Sequence, residues 1–245
     1  MISGEFDLSI GSMIGFSSMA MTLLTVQAHF SMTSAALLTL LIVIFFGFLN
    51  GLIVVKTGLP SFIITLGSLF IIRGITIGFS KILTGRTQLG GLETANGYNI
   101  MSFIFNNNIQ VGGVAFPVSI LWWIILGIIA FTILNKIQMG NWIFATGASK
   151  EAAELMGVPI EKVKISLFIV TAFCAWFIAM TQTTTYGGAD VLRGEQKEFT
   201  AIIATVIGGT LLTGGYGSII GTMIGALIFG MVRQGIIFAG ADADW

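Results

Sequence analysis

Asp7 and Ser9 stand two residues apart at a Gly-rich entry to a long apolar run, "SGEFDLSIGSMIG". A carboxylate placed there either caps the start of a helix at an interface or lies in the membrane and does functional work. Both residue types are good helix caps, so the two readings stay open. Asn50, Thr65 and Gln182 are polar side chains inside otherwise apolar segments. They could line a polar path or bond between helices. Arg73 sits in the middle of an apolar segment, where it could stretch to the outer interface or bind a hydroxyl of a solute. The single histidine, His29, falls where an apolar segment ends and reads as a polar cap. Cys174 is the lone cysteine, so no internal disulfide is possible. There is no HExxH or CxxC motif, and neither a metal site nor a cofactor is expected.

The elements that must position these residues follow from composition. The chain has 245 residues, 55% apolar and 9% charged, with a mean hydropathy of +0.97. A soluble domain carries about 25% charged residues, so most of this surface must face lipid. Net charge is zero and no basic tract occurs, which argues against nucleic acid as a partner. Continuous apolar runs and 32 glycines argue for close-packed helices rather than a β-barrel.

The expected fold is all-α, a polytopic helical bundle in one transmembrane domain over 1–245. Seven segments are read, at 10–28, 35–55, 60–80, 117–135, 165–182, 200–213 and 217–238. The sixth is short: 14 residues make a helix of about 21 Å against a core of about 30 Å. It is expected to be broken, re-entrant or completed by neighbouring residues. Residues 81–116 and 183–199 read as polar loops, with a short helix in "NIMSFIF" and an interfacial Trp pair at 122–123. "GSMIG" at 11–15 resembles "GSIIG" at 217–221, which suggests a parallel internal repeat. "GGTLLTGGYGS" (208–218) lacks the GK[ST] ending of a nucleotide loop, so ATP binding by this chain is not expected.

Six of the 22 charged residues lie between Lys150 and Lys164, in "GASKEAAELMGVPIEKVKI" (147–165). Ser149 reads as an N-cap and Glu151 suits the first turn. Gly157 and Pro159 end the helix after two turns. Ala148, Ala152, Leu155 and Met156 are expected on one face, with Lys150, Glu151 and Glu154 toward the other. A helix so short is not stable alone, so it is either a surface turn or a docking element for a soluble subunit.

"EAAELMGVPIEKVKI" resembles the EAA-type cytoplasmic loop of ABC importer permeases, with Glu151, Ala152, Ala153 and Gly157 in the order of that loop. "SGEFDLSIGS" (3–12), "NGLIVVKTGLPSFIITLGSLFIIRGI" (50–75) and "IIATVIGGTLLTGGYGSIIGTMIGALIFG" (202–230) resemble successive blocks of the ribose-type monosaccharide permeases. The resemblance implies that 147–160 forms a cytoplasmic coupling helix for an ATP-binding subunit. Lys and Arg are too evenly spread to orient the chain, and the resemblance places 81–116 and 183–199 outside. A periplasmic or extracellular sugar-binding protein would dock there, with Tyr186 and Phe199 as candidate contacts. It further implies a second permease subunit, the same or different, and a multi-pass place in the bacterial inner membrane. Hydrolysis of ATP falls to the partner, so this chain is not expected to be an enzyme. Asp7, Ser9, Asn50, Thr65, Arg73 and Gln182 become candidates for a sugar path, although Arg73 reads better as structural. Members of the group carry further segments at both ends, so the sequence is expected to be part of a longer permease. The competing class is a stand-alone secondary transporter or channel for a small polar solute, which has no use for the short charged helix. The related amino-acid importer permeases are disfavoured by the DLS block.

Overall fold

In a computed structural model of the chain, residues 1–240 are described. Ten helices dominate: α1 (Ile10–Val26), α2 (Met32–Thr57), α3 (Ser61–Thr84), α4 (Tyr98–Phe105), α5 (Val118–Lys136), α6 (Gln138–Ala148), α7 (Lys150–Leu155), α8 (Ile160–Tyr186), α9 (Lys197–Ile207) and α10 (Ile219–Phe238). The described residues also contain one 3-10 turn (Leu92–Thr94) and four short strands: β1 (Gln88–Gly90), β2 (Asn108–Val111), β3 (Val114–Pro117) and β4 (Gly188–Asp190). Five helices, α2, α3, α5, α8 and α10, are long and apolar enough to cross a membrane. The expected seven segments therefore resolve into five full spans plus α1, at 17 residues, and α9, at 11. The fold is an all-α polytopic bundle.

The chain packs as two compact units. One comprises residues 7–124 and 164–198, the other residues 1–6, 125–163 and the chain from 199 onward. In the first unit α1 lies at the centre, although it is the most polar of the segments. Met13, Ile14, Met19 and Met21 are buried there, as are Ser12, Ser17, Ser18, Thr22 and Thr25. The hydroxyls are tolerated because each has a partner. Ser17, Thr22 and Thr25 donate to the carbonyls of Met13, Ser18 and Met21 one turn back, at 2.6 to 2.9 Å. Ser18 and Thr183 bond at 2.8 Å and tie α1 to α8. The Trp176 indole N–H donates to the Ala36 carbonyl at 3.0 Å, joining α8 to α2.

Residues 183–199, expected as an outer loop, are in part regular structure. The first four continue α8, and the last three begin α9. Between them β4 pairs antiparallel with β1, Gln88 opposite Asp190. The chain then runs back along α1. Ala189 and Val191 pack on Met19. A Cβ at Gly15 would lie 2.8 Å from the Val191 carbonyl oxygen, and one at Gly11 would lie 2.5 Å from that of Gly194. The two glycines, one turn apart, let irregular backbone lie flat on a helix. Irregular backbone at membrane depth is tolerated where protein buries it.

In the second unit α9 and α10 approach closely at Gly225, where a Cβ would lie 2.1 Å from the Ala204 carbonyl oxygen. The matched pentapeptides do not fall at equivalent places. Ser9 precedes α1, so "GSMIG" lies inside that helix, whereas "GSIIG" straddles the start of α10, with Ser218 as its cap. Both still stand at the opening of a helix rich in small residues. Along α5 the side chains of Ile120, Ile124 and Ile128 are exposed, as lipid-facing positions should be. The Trp122 indole N–H is satisfied by the Ile104 carbonyl of α4 at 2.8 Å, within the first unit.

Candidate functional site

The polar residues at the start of α1 form one hydrogen-bonded knot. Thr171 of α8 donates to one oxygen of Asp7 at 2.6 Å, and the backbone N–H of Ser9 donates to the other at 3.0 Å. The Ser9 hydroxyl also donates to Asp7 and accepts from the Asn50 amide at 3.0 Å. The Asn50 carbonyl oxygen in turn accepts from Ser68 of α3. Beside it the backbone N–H of Leu8 donates to Thr65 at 3.0 Å. Four of the six proposed path residues, Asp7, Ser9, Asn50 and Thr65, are thus brought together. Ser9, Asn50 and Thr65 are buried, while Asp7, Ser68 and Thr171 stay partly accessible.

This arrangement has a local cause. Asp7 folds its carboxylate over the N–H two residues on, a turn that Asp favours, and so sets a negative charge at the start of α1, where the helix dipole welcomes it. Every charge-assisted bond it accepts contributes more than a neutral one. The knot links α1, α2, α3 and α8 through groups that would otherwise be unpaired inside the bundle.

Gln182 and Arg73 are not part of it. Gln182 lies three turns beyond Thr171 on α8, about 16 Å along the axis. Arg73 is about 18 Å from the start of α3 and about 17 Å from its end, yet it does not stretch to an interface. Its guanidinium meets Glu195 at 3.0 Å. Sequence reasoning missed Ser68, Thr171, Glu195 and Glu198. A cation inside an apolar segment did signal a countercharge, and acidic residues in 183–199 were the candidates. Nothing in the sequence showed that this stretch would fold back along α1.

The charged stretch between α6 and α8 forms as its residues require. The Ser149 hydroxyl accepts from the Ala152 N–H at 3.3 Å, and Glu151 lies in the first turn. Val158 N–H bonds to the Ala153 carbonyl and Gly157 N–H to that of Glu154, with Gly157 at φ +74°. That double closure is a Schellman end, which favours glycine at the left-handed residue. The burial differs from expectation. Ala153 is fully buried, while Ala148, Ala152, Leu155 and Met156 are exposed, Leu155 at 91% and Met156 at 69%. The apolar side of α7 is offered outward, because the helix is anchored by the small Ala153 instead. Lys150 and Glu154 pair loosely at 3.8 Å on its surface.

A bundle of long apolar helices of this kind is that of a polytopic membrane protein. The chain belongs to the family described as branched-chain amino acid transport system / permease component, whose model matches residues 1–245. It is similar to the fructose import permease protein FrcC of Rhizobium meliloti, 29% identical over all of this chain and 66% of the relative. It is likewise similar to two proteins of Escherichia coli K12. The D-allose transport system permease protein AlsC is 31% identical over 94% of this chain and 67% of its own length. The autoinducer 2 import system permease protein LsrD is 31% identical over 98% and 70%. The chain therefore spans about two thirds of the length of these relatives. No solved structure matches it.

Proposed function

We propose that this chain is the transmembrane permease subunit of an ATP-driven importer that moves a monosaccharide across the bacterial inner membrane. The family's description names branched-chain amino acids, but the relatives named for fructose and D-allose favour a sugar importer. The observation that carries it is α7, a six-residue helix, capped at both ends, that presents Leu155 and Met156 outward. Such a helix has too few bonds of its own to stand as a free surface element. A soluble ATP-binding subunit that receives Glu151, Ala152, Leu155 and Met156 accounts for both its rigidity and its exposed apolar side. Ala153 and Gly157 hold its shape.

In this reading the chain performs no catalysis. ATP-driven closure of the partner moves α7 as a rigid lever, and the close-packed spans shift with it. A second permease subunit completes the path. The β2–β3 hairpin, α4 and Tyr186 face outside, where a sugar-binding protein docks. Asp7, Ser9, Asn50 and Thr65 serve to hold the start of α1 rather than to carry solute.

The test is co-purification of the permease, extended to its natural gene ends, with the ATP-binding subunit encoded beside it. A parallel sample carries Glu151→Lys with Gly157→Arg. An ATPase that travels with the first and is lost from the second supports the reading. An ATPase that binds neither form overturns it in favour of a carrier working alone.

A further inference from the structure

Residues 194–198 bring two carboxylates beside Arg73. Glu195 pairs with the guanidinium at 3.0 Å, and both side chains keep access, at 45% and 20%. Glu198 is 4% exposed, and its Oε2 has no hydrogen-bond partner. Arg73 attracts a charge on Glu198 and Glu195 repels it, so the three groups form one electrostatic cluster. The backbone that holds it is unusual as well, with Gly194 at φ +96° and Gln196 at φ +61°. A left-handed conformation at a residue other than glycine costs energy and persists where the surroundings impose it, often at binding sites.

A buried carboxylate oxygen without a donor is costly. The Glu198 oxygen lacks a donor, and a simple cation is a poor candidate because the guanidinium repels it. A neutral molecule with several hydroxyls fits better: it donates to Glu195 and Glu198 and accepts from the spare N–H groups of Arg73. We propose that Arg73, Glu195 and Glu198 form a binding step for a polyhydroxylated solute at mid-depth of the first unit. This rests on the monosaccharide reading above. The unpartnered oxygen lies against Gly11, where an added Cβ would sit 2.2 Å from it. A solute hydroxyl reaches it only when α1 and residues 194–198 part. The solute therefore binds the parted state better and shifts the equilibrium toward it.

The test uses the full-length permease with its ATP-binding and sugar-binding partners in proteoliposomes. Uptake of D-ribose, D-fructose and D-allose is measured, each beside a deoxy analogue. Glu198→Gln keeps the shape of the side chain. It is expected to retain the ATP-binding subunit, to lower uptake by roughly tenfold or more and to discriminate less against the deoxy analogue. The swap Arg73→Glu with Glu195→Arg restores an ion pair; assembly should survive it, and uptake should not. Wild-type uptake and discrimination in either variant would overturn the proposal, as would loss of assembly in Glu198→Gln, which would mark that carboxylate as structural. If the wild type takes up none of the three sugars, the monosaccharide reading fails and this proposal with it.

Discussion

The hydroxyl of Thr171 donates to the carboxylate of Asp7 at 2.6 Å, although 164 positions separate them in the chain. The bond fastens α8 to the residue that opens α1. The same carboxylate accepts from Ser9 twice, so three donors depend on one side chain.

Asp7→Ala removes all three acceptor contacts and should destabilise the protein by about 2–4 kcal/mol, since bonds to a charged group contribute about 1.5–3 kcal/mol each and Asp7 remains partly accessible. Asp7→Asn keeps one acceptor oxygen and should lose about half as much. Thermal unfolding in detergent, followed by intrinsic fluorescence, gives the comparison. Equal midpoints for wild type and Asp7→Ala would show that the knot contributes nothing.

Gly15→Ala places a methyl 2.8 Å from one carbonyl oxygen and 2.9 Å from another. Backbone must move, and a loss of about 1–3 kcal/mol is expected. Gly67→Ala, in α3 with nothing within 4 Å, should be neutral or gain up to about 1 kcal/mol from helix propensity. The two variants carry the same chemical change, so their melting temperatures isolate the effect of the close approach.

Leu155→Asp should leave stability unchanged, because the side chain is 91% exposed. It should abolish retention of the ATP-binding subunit in a pull-down. A variant that still retains the subunit would remove Leu155 from the docking surface.

Ser149→Ala deletes the cap of a helix that has only six residues. The expected cost is about 1 kcal/mol, enough to fray α7. Hydrogen exchange over 150–157 should quicken while that of α8 stays the same. Unchanged exchange would mean that the cap does not set the local stability.

Much of this architecture was legible in the sequence, because lipid imposes simple rules. Long apolar runs gave α2, α5 and α10 within a few residues. Ser149, Gly157 and Pro159 bounded α7, since capping depends on local residue types. Burial on α7 was not legible: helical spacing grouped Ala152 with Leu155 and Met156, but the anchor is Ala153, which only the neighbouring packing decides. The knot was half legible. Asp7, Ser9, Asn50 and Thr65 stand out as polar residues in apolar surroundings, whereas Thr171 and Ser68 resemble any hydroxyl in a span. Residues 183–199 read as a loop because they are polar and Gly-rich. The sequence carries the same signs whether such a stretch lies in water or against Gly11 and Gly15.

The hydroxyls of α1 have one more consequence. Ser12, Ser17, Ser18, Thr22 and Thr25 are all buried, and each already bonds to a carbonyl or to Thr183. None offers a spare donor from which a file of water molecules could start. A span rich in serine and threonine can therefore lie among apolar neighbours without leaving a hydroxyl proton unpaired.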